Sequence, residues 1–496
     1  MSTVPPSAKK PPKKKAVGKT RPKPKPKPAP VAKPKPVAPP AQPQAPVAQA
    51  PPAPPAVYQG PFGKEQAERL LWRAGFGPAK GQAEQLASLG LQGAVSALLQ
   101  PQPETLTGAA PVDRRGNAIA PQDALGHDHL WWLDRMVRGN QPLVERMTLV
   151  WHDWFATSRQ GVSPQKLLTD QNQLLRRHAL GSFQQLLLDV TVDPAMLIFL
   201  DGQRNTVRSP NENYARELME LFTIGAGRGY TEQDVREQAR ALTGFRSDFV
   251  QGVGRTNFRY DPAYHDTGTK TVFGKRGAFG WEEACRLCLE HESHPSFFVE
   301  KLWSYFIPTA PSAETSRSLQ HLYKSSGYQV GPVVQAILLH PDLHQGARMV
   351  KSPVVLIAGM LRGLGRPLDT DGWVGFASAA GQQLFLPPNV AGWDEARWLD
   401  TNTFRGRWQA VSEAARPAAL STRNPAAQPK DPAELVARAI AFWGSPTISE
   451  ETQATLRTFV WRALDGVSAR NRDLFAVYAE NALRVLLAMS PDYQTS

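Results

Sequence analysis

Carboxylates and imidazoles are the side chains best suited to moving protons near neutral pH, and in this chain they gather in three short stretches. "WHDWF" sets His152 beside Asp153, a pair open to acid–base work or metal ligation. "PNENYARELMELFTIG", residues 210–225, brings three glutamates, two asparagines and an arginine into one helical stretch. "YHDTGTKTVFG" places His265, Asp266 and Lys270 in a turn rich in glycine and threonine, the kind of loop on which chemistry is often mounted. A fourth stretch, "LPPNVAGW", is stiffened by Pro387 and Pro388 and offers Asn389 and Trp393 as an amide and an aromatic face for a sugar or peptide. His152, Asp153, Glu217, Glu220, His265 and Asp266 are thus the candidate catalytic residues, with Lys270, Asn389 and Trp393 as candidate substrate contacts. The mix suits hydrolysis of a polymer or peptide, with or without a divalent metal.

Each stretch also has a purely structural reading. Ser209-Pro210-Asn211-Glu212 has the form of a capping box, which would occupy Glu212 at the helix start. Glu212, Arg216 and Glu220 then follow at intervals of four, an ordinary surface ion ladder. That leaves Glu217 and Glu220 open. A single histidine on an apolar helix is commonly a hydrogen-bonded core residue, Asp266 can close a turn on its own backbone, and Trp393 can cap a core. "CRLCLEHESH" suggests zinc, but Cys285, Cys288, His291 and His294 spread over half the circumference of a helix and do not close one tetrahedron. No phosphate loop, nucleophile elbow or dinucleotide fingerprint occurs, so no nucleotide cofactor is expected.

The elements that must hold these residues are mostly helices. "KEQAERLLWRAGFG", "PLVERMTLVWHDWFATS", "SFQQLLLDVTVDPAMLIFL" and "PVVQAILLHPDL" space their apolar residues at helical period. "YTEQDVREQARALTG" opens on a Thr231–Asp234 cap and closes on Gly244. Strand signals concentrate between Phe258 and Phe273, where "NFRY" and "KTVFG" are expected to form one hairpin. The expectation is a mainly α, multi-helical body with a small β insertion. Its main helical domain would span 58–413 and a loop or linker 414–431. C-terminal helices, 432–496, would pack on the main domain.

Residues 1–57 differ in kind. They hold twelve of the 57 basic residues and no acid, which leaves 45 basic against 44 acidic residues in the remainder. The basic character therefore belongs to this segment, and the body's charge is no argument for nucleic-acid binding. Lys, Pro, Ala and Gln cannot bury a core, so a disordered tail biased to polyproline II is expected. Such a tail is a tether or an adhesive for a polyanion: a wall polymer, anionic lipid or nucleic acid. Two cysteines provide no disulfide framework, and no apolar run is long enough for a transmembrane segment. No apolar stretch follows the basic N-terminus, so no signal peptide is recognisable. Compartment and oligomeric state leave no mark.

Taken in order, "LLWRAGFGP", "WHDWFATS", "LRRHALGSFQQLLLDVTVDPAMLIFLDG", "PNENYARELMELFTIG", "YTEQDVREQARALTGF", "HDTGTKTVFG", "VEKLWSYF", "VKSPVVLIAGMLRGLG" and "LPPNVAGW" resemble the bacterial family called domain of unknown function 1800. The resemblance runs from about Phe62 to the end of the chain. It implies a largely helical fold and a protein of a kind often exported, and it brings no activity with it. The family commonly has Trp-His-Asn-His-Phe where this chain has Trp151, His152, Asp153, Trp154 and Phe155. With Trp154 in place of the second histidine, a two-histidine metal site is weakened here.

Overall fold

A computed structural model describes residues 51–496 apart from 101, 424, 426 and 427. Most of the expected tail therefore lies outside the described residues. Its last part does not hang free. Ser318 Oγ donates to the Ala53 carbonyl at 2.6 Å, the Tyr58 amide donates to Leu339 O at 2.8 Å, and Val57 packs on apolar core.

The described chain is mainly α, with twenty-two α-helices and two small antiparallel hairpins. None of these helices is long and apolar enough to cross a membrane. The expected pairing of "NFRY" with "KTVFG" is corrected. Gly254–Tyr260 pairs with the upstream Phe245–Val250, and Lys270–Val272 pairs with the downstream Lys275–Gly277. Turn chemistry decides this: Phe273 and Gly274 both have positive φ, which makes the two-residue loop that hairpins favour. Closing that loop costs far less entropy than bridging residues 261–269.

Two apolar clusters share the interior. One is built around Trp151, Trp154, Phe183, Phe222 and Phe298; the other joins Trp72, Trp132, Trp373 and Phe385 to the C-terminal helices through Leu483 and Tyr493. The helix Pro142–Trp154 runs between them and is buried nearly all round. Pro142 starts it at the first-turn position that tolerates a missing N–H. In the stretch expected as a linker, the Thr401–Ala415 helix runs on to residue 415 and a 3-10 turn follows at Arg416–Ala418. Leu420 is then tied on both sides to Asn481 of the Arg472–Ala488 helix.

The two expected capping boxes behave differently. Thr231 and Asp234 form theirs at the start of Glu232–Ala241. Ser209 does not cap: it exchanges backbone bonds with Thr206, and the helix begins only at Asn213. Asn205 and Asn211 take the Asn211 and Asn213 amides instead, each at 2.9 Å, because short amide side chains compete well for local backbone donors. Glu212 is left to its ion pair with Arg216. Beyond Glu217 the helix widens into a π turn, Leu218–Thr223, with Ile224 N donating to Met219 O at 2.9 Å.

Candidate functional site

The predicted residues fall in three separate places, and only one of these is a cleft. His265, Asp266 and Lys270 fasten the second hairpin to the Glu232–Ala241 helix. Arg240 Nε donates to Asp266 at 2.7 Å, which holds that carboxyl below its ordinary range, and the Gly268 amide closes the turn on Asp266 at 2.8 Å. His265 Nδ1 lies 3.0 Å from Thr243 O. Lys270 is fully buried and donates to the carbonyls of Asp266 and Gly268, so its ammonium is spent on the turn. Asp234 and Glu237 complete the fastening by accepting the Phe273 and Thr271 amides at 2.7 and 2.9 Å.

Glu217 and Glu220 lie on the second place, the half-exposed face of residues 212–220. Arg216 is its hub, within 3.2 Å of Glu212, 3.5 Å of Glu220 and 2.8 Å of Glu232. Burial, then the charge of Glu220, raises the Glu217 carboxyl. What this stretch contributes inward is backbone. The π turn releases carbonyls from the helical ladder, and they accept from Lys301 Nζ (to Leu221, 2.9 Å), Trp154 Nε1 (to Phe222, 3.0 Å) and the His294 ring (to Thr223, 2.8 Å).

His152 and Asp153 diverge because neighbouring residues on a helix point about 100° apart. His152 turns into the core, 5.2 Å from the Trp132 ring, and burial depresses it to about 3. Its neutral Nε2 accepts the Phe385 amide at 3.2 Å, while His129 Nδ1 accepts the Leu384 amide at 3.0 Å. Two uncharged imidazoles thus pin successive amides of the strand of chain that leads to Trp393. Asn389 stays exposed and accepts the Ala391 amide at 2.8 Å.

Asp153 points the other way, into a narrow cleft between the two apolar clusters, with free space of only about 30 Å³. Tyr305 Oη donates to its Oδ2 at 2.6 Å and the Trp393 amide to its Oδ1 at 2.8 Å. Burial raises the carboxyl despite these bonds. Gly392 has φ +88°, and a Cβ there would stand 2.1 Å from Asp153 Oδ1, so only glycine lets the loop come this close. The next turn, Glu395–Arg397, is capped by Asp394, which accepts the Ala396 amide at 3.1 Å and leaves Glu395 free to line the cleft. The residue lies in an exposed turn, yet desolvation of its carboxyl and then the charge of Asp153 push it up to about 7. Arg73, Arg146 and Lys351, all buried, line the same cleft.

A buried arginine sets this wall. Arg407, fully buried, donates to Trp398 O, Gln494 Oε1 and Lys351 O at 2.8, 3.0 and 2.8 Å. Met349 and Ser496 exchange backbone bonds at 2.8 and 2.9 Å, and Ser496 Oγ accepts from Arg73 Nε at 3.0 Å. Sequence reasoning overlooked Glu395, Arg146, Tyr305 and Arg407. The one local signal was the acidic pair Asp394-Glu395 directly after the Pro-Pro-Asn-Val-Ala-Gly-Trp loop.

Cys285 and Cys288 are buried on Trp281–Leu289 and contact Thr191 and Gln238, each at 3.2 Å, while His294 bonds Tyr323 at 3.0 Å. Among the described residues no three His, Cys, Asp or Glu side chains are grouped to hold a metal ion.

Fold and cleft define a mainly helical protein whose mixed-charge site is set between two apolar cores by buried arginine and histidine. The chain belongs to the family described as protein of unknown function (DUF1800), which matches residues 69–495. No curated protein and no solved structure matches it.

Proposed function

We propose that the cleft is the active site of a hydrolase working by acid–base catalysis, with Asp153 and Glu395 as its proton-handling pair. The observation that carries the reading is Asp153, held on both oxygens by Tyr305 and the Trp393 amide and lining the same cleft as a second carboxyl, Glu395, which its charge reaches. Burial and then the charge of Asp153 push the Glu395 carboxyl up to about 7, so near neutrality it holds a proton it can give. Glu395, nearer the mouth, is the acid. Asp153, fixed in orientation, is the base that positions water. Trp393 supplies a flat face for the substrate. The test is a panel of nitrophenyl esters, nitrophenyl glycosides and peptide nitroanilides with the full-length protein. Hydrolysis of at least one class is expected, with Asp153→Asn and Glu395→Gln each losing on the order of 10²–10⁴ in rate. Wild-type inactivity on every class, or unchanged rates in both variants, would overturn the reading.

The basic N-terminal segment supports a second, separable role as an adhesive for polyanions, because its charge is one-signed and concentrated. Deleting residues 1–50 is expected to abolish salt-sensitive binding to inorganic polyphosphate and to anionic vesicles, with the melting temperature unchanged. Binding that survives the deletion would contradict it.

A further inference from the structure

Buried polar side-chain atoms normally find partners. Three that find none among the described residues line this one cleft: Arg146 Nε, Ser352 Oγ and Trp398 Nε1. All three are able to donate a hydrogen bond. Their residues are 8, 6 and 6% exposed. They come from three segments: the Pro142–Trp154 helix, the residue before the Pro353–Leu364 helix, and the end of the 395–398 turn.

Resting on the reading of the cleft as a substrate site, we infer that Arg146, Ser352 and Trp398 form a subsite for an anionic oxygen group on the substrate: a carboxylate, phosphate or sulfate.

The surroundings favour an anion over a neutral acceptor. Ser352 is the N-cap of a twelve-residue helix but does not bond that helix with its side chain. Its hydroxyl therefore stands at the positive end of the dipole with no intrahelical task. Pro353 brings no N–H, and the Val354 amide is already taken by Gln382 Oε1 at 3.2 Å, so neither of the first two helical residues competes with the Ser352 hydroxyl as a donor. Arg146 spends one N–H on Tyr305 O at 3.1 Å and forms no direct ion pair among the described residues; the charges of Glu395 and Asp153 reach it, but neither bonds its guanidinium, so its Nε stays open to an incoming acceptor. Arg73 adds positive potential without competing as a donor, while burial pushes the Lys351 ammonium well down, so no charge is counted on it. Lys351 Nζ is bonded to Tyr493 O and lies 3.7 Å from the centre of the Trp72 ring, and Arg73 is taken up by the carbonyls of Phe306, Ala347 and Ser496. Two guanidiniums thus share the cleft with two carboxyls. A guanidinium with an indole N–H and a hydroxyl, in a low-dielectric cleft, is a donor set matched to an oxyanion.

The experiment is calorimetric titration of the full chain with inorganic phosphate, sulfate and succinate at constant ionic strength. Saturable binding of at least one is expected, and the preferred anion identifies the group. Ser352→Ala and Trp398→Phe, which keep shape and remove one donor each, should weaken it about tenfold. Arg146→Met should weaken it more. Saturable binding absent for all three anions, or affinity unchanged in both Ser352→Ala and Trp398→Phe, overturns the inference. Asp153→Asn and Glu395→Gln separate it from the catalytic reading. Anion binding retained while turnover is lost supports both. Anion binding by a wild type that hydrolyses nothing supports the subsite and sinks the hydrolase.

Discussion

A Gly406→Ala protein should melt well below the wild type, although the change places a better helix former in the middle of the Thr401–Ala415 helix. Propensity alone favours alanine by about 1 kcal/mol. Against it, the new Cβ would stand 2.2 Å from the Ala379 carbonyl carbon, 2.3 Å from its oxygen and 2.4 Å from the Ala380 amide nitrogen. These are backbone atoms at the end of the Gly372–Ala379 helix and have no rotamer through which to escape. The two helices must part, at a cost of roughly 1–3 kcal/mol or more. Parting them also pulls Arg407 away from its three acceptors, and hydrogen bonds to charged groups contribute about 1.5–3 kcal/mol each. The net loss should be roughly 3 kcal/mol or larger, read as a lower urea midpoint, with loss of anion binding because Trp398 and Lys351 shift. Unchanged or higher stability would disprove the close approach of these helices.

Trp154→His restores the second histidine of the commoner family pattern and is expected to destabilise without creating a metal site. Trp154 is fully buried, 5.7 Å from the rings of both Phe183 and Phe298, and its indole N–H is bonded to the π turn. Large-to-small changes at aromatic core positions cost about 3–5 kcal/mol when cut to alanine; an imidazole recovers part, leaving a loss of roughly 3 kcal/mol. Zinc should not rescue it. Residues two apart on a helix point about 200° away from one another, and His152 is committed to Trp132, Phe385 and Trp393. Melting curves with and without zinc decide this, and a zinc-dependent rise would refute the opposed orientation of the two positions.

What could be read from the chain divides by distance along it. Helical period and the Thr231–Asp234 box involve residues within a turn or two of one another, and they appear as expected. The Ser209 box has equally good letters, but Asn205 and Asn211 offered nearer bonds, which no scan for one motif weighs. The "NFRY" strand was legible and its partner was not, since pairing follows which loop closes most cheaply. At the candidate site, Asp153 could be picked out beside His152, yet which of the two entered a cleft depended on the face that the rest of the fold covered. Arg146, Ser352 and Trp398 are separated by dozens to hundreds of residues and carry no mutual spacing. Their common property, a donor without an acceptor, exists only once the chain is folded.

The wall that joins Arg73 to Ser496 spans 423 positions of the chain. Contacts of such high sequence separation form late, because the loop entropy is spent before any bond repays it. On the ribosome, the Pro142–Trp154 helix emerges and can pack long before residue 496 has been made. Until residues 393–398 have emerged, its Arg146 and Asp153 have neither Trp393 nor Trp398 beside them, and a nascent chain carries an open, charged seam. Closing of the cleft therefore waits on contacts made from the far side of the chain, and a chain lacking them would carry its first half with this seam open.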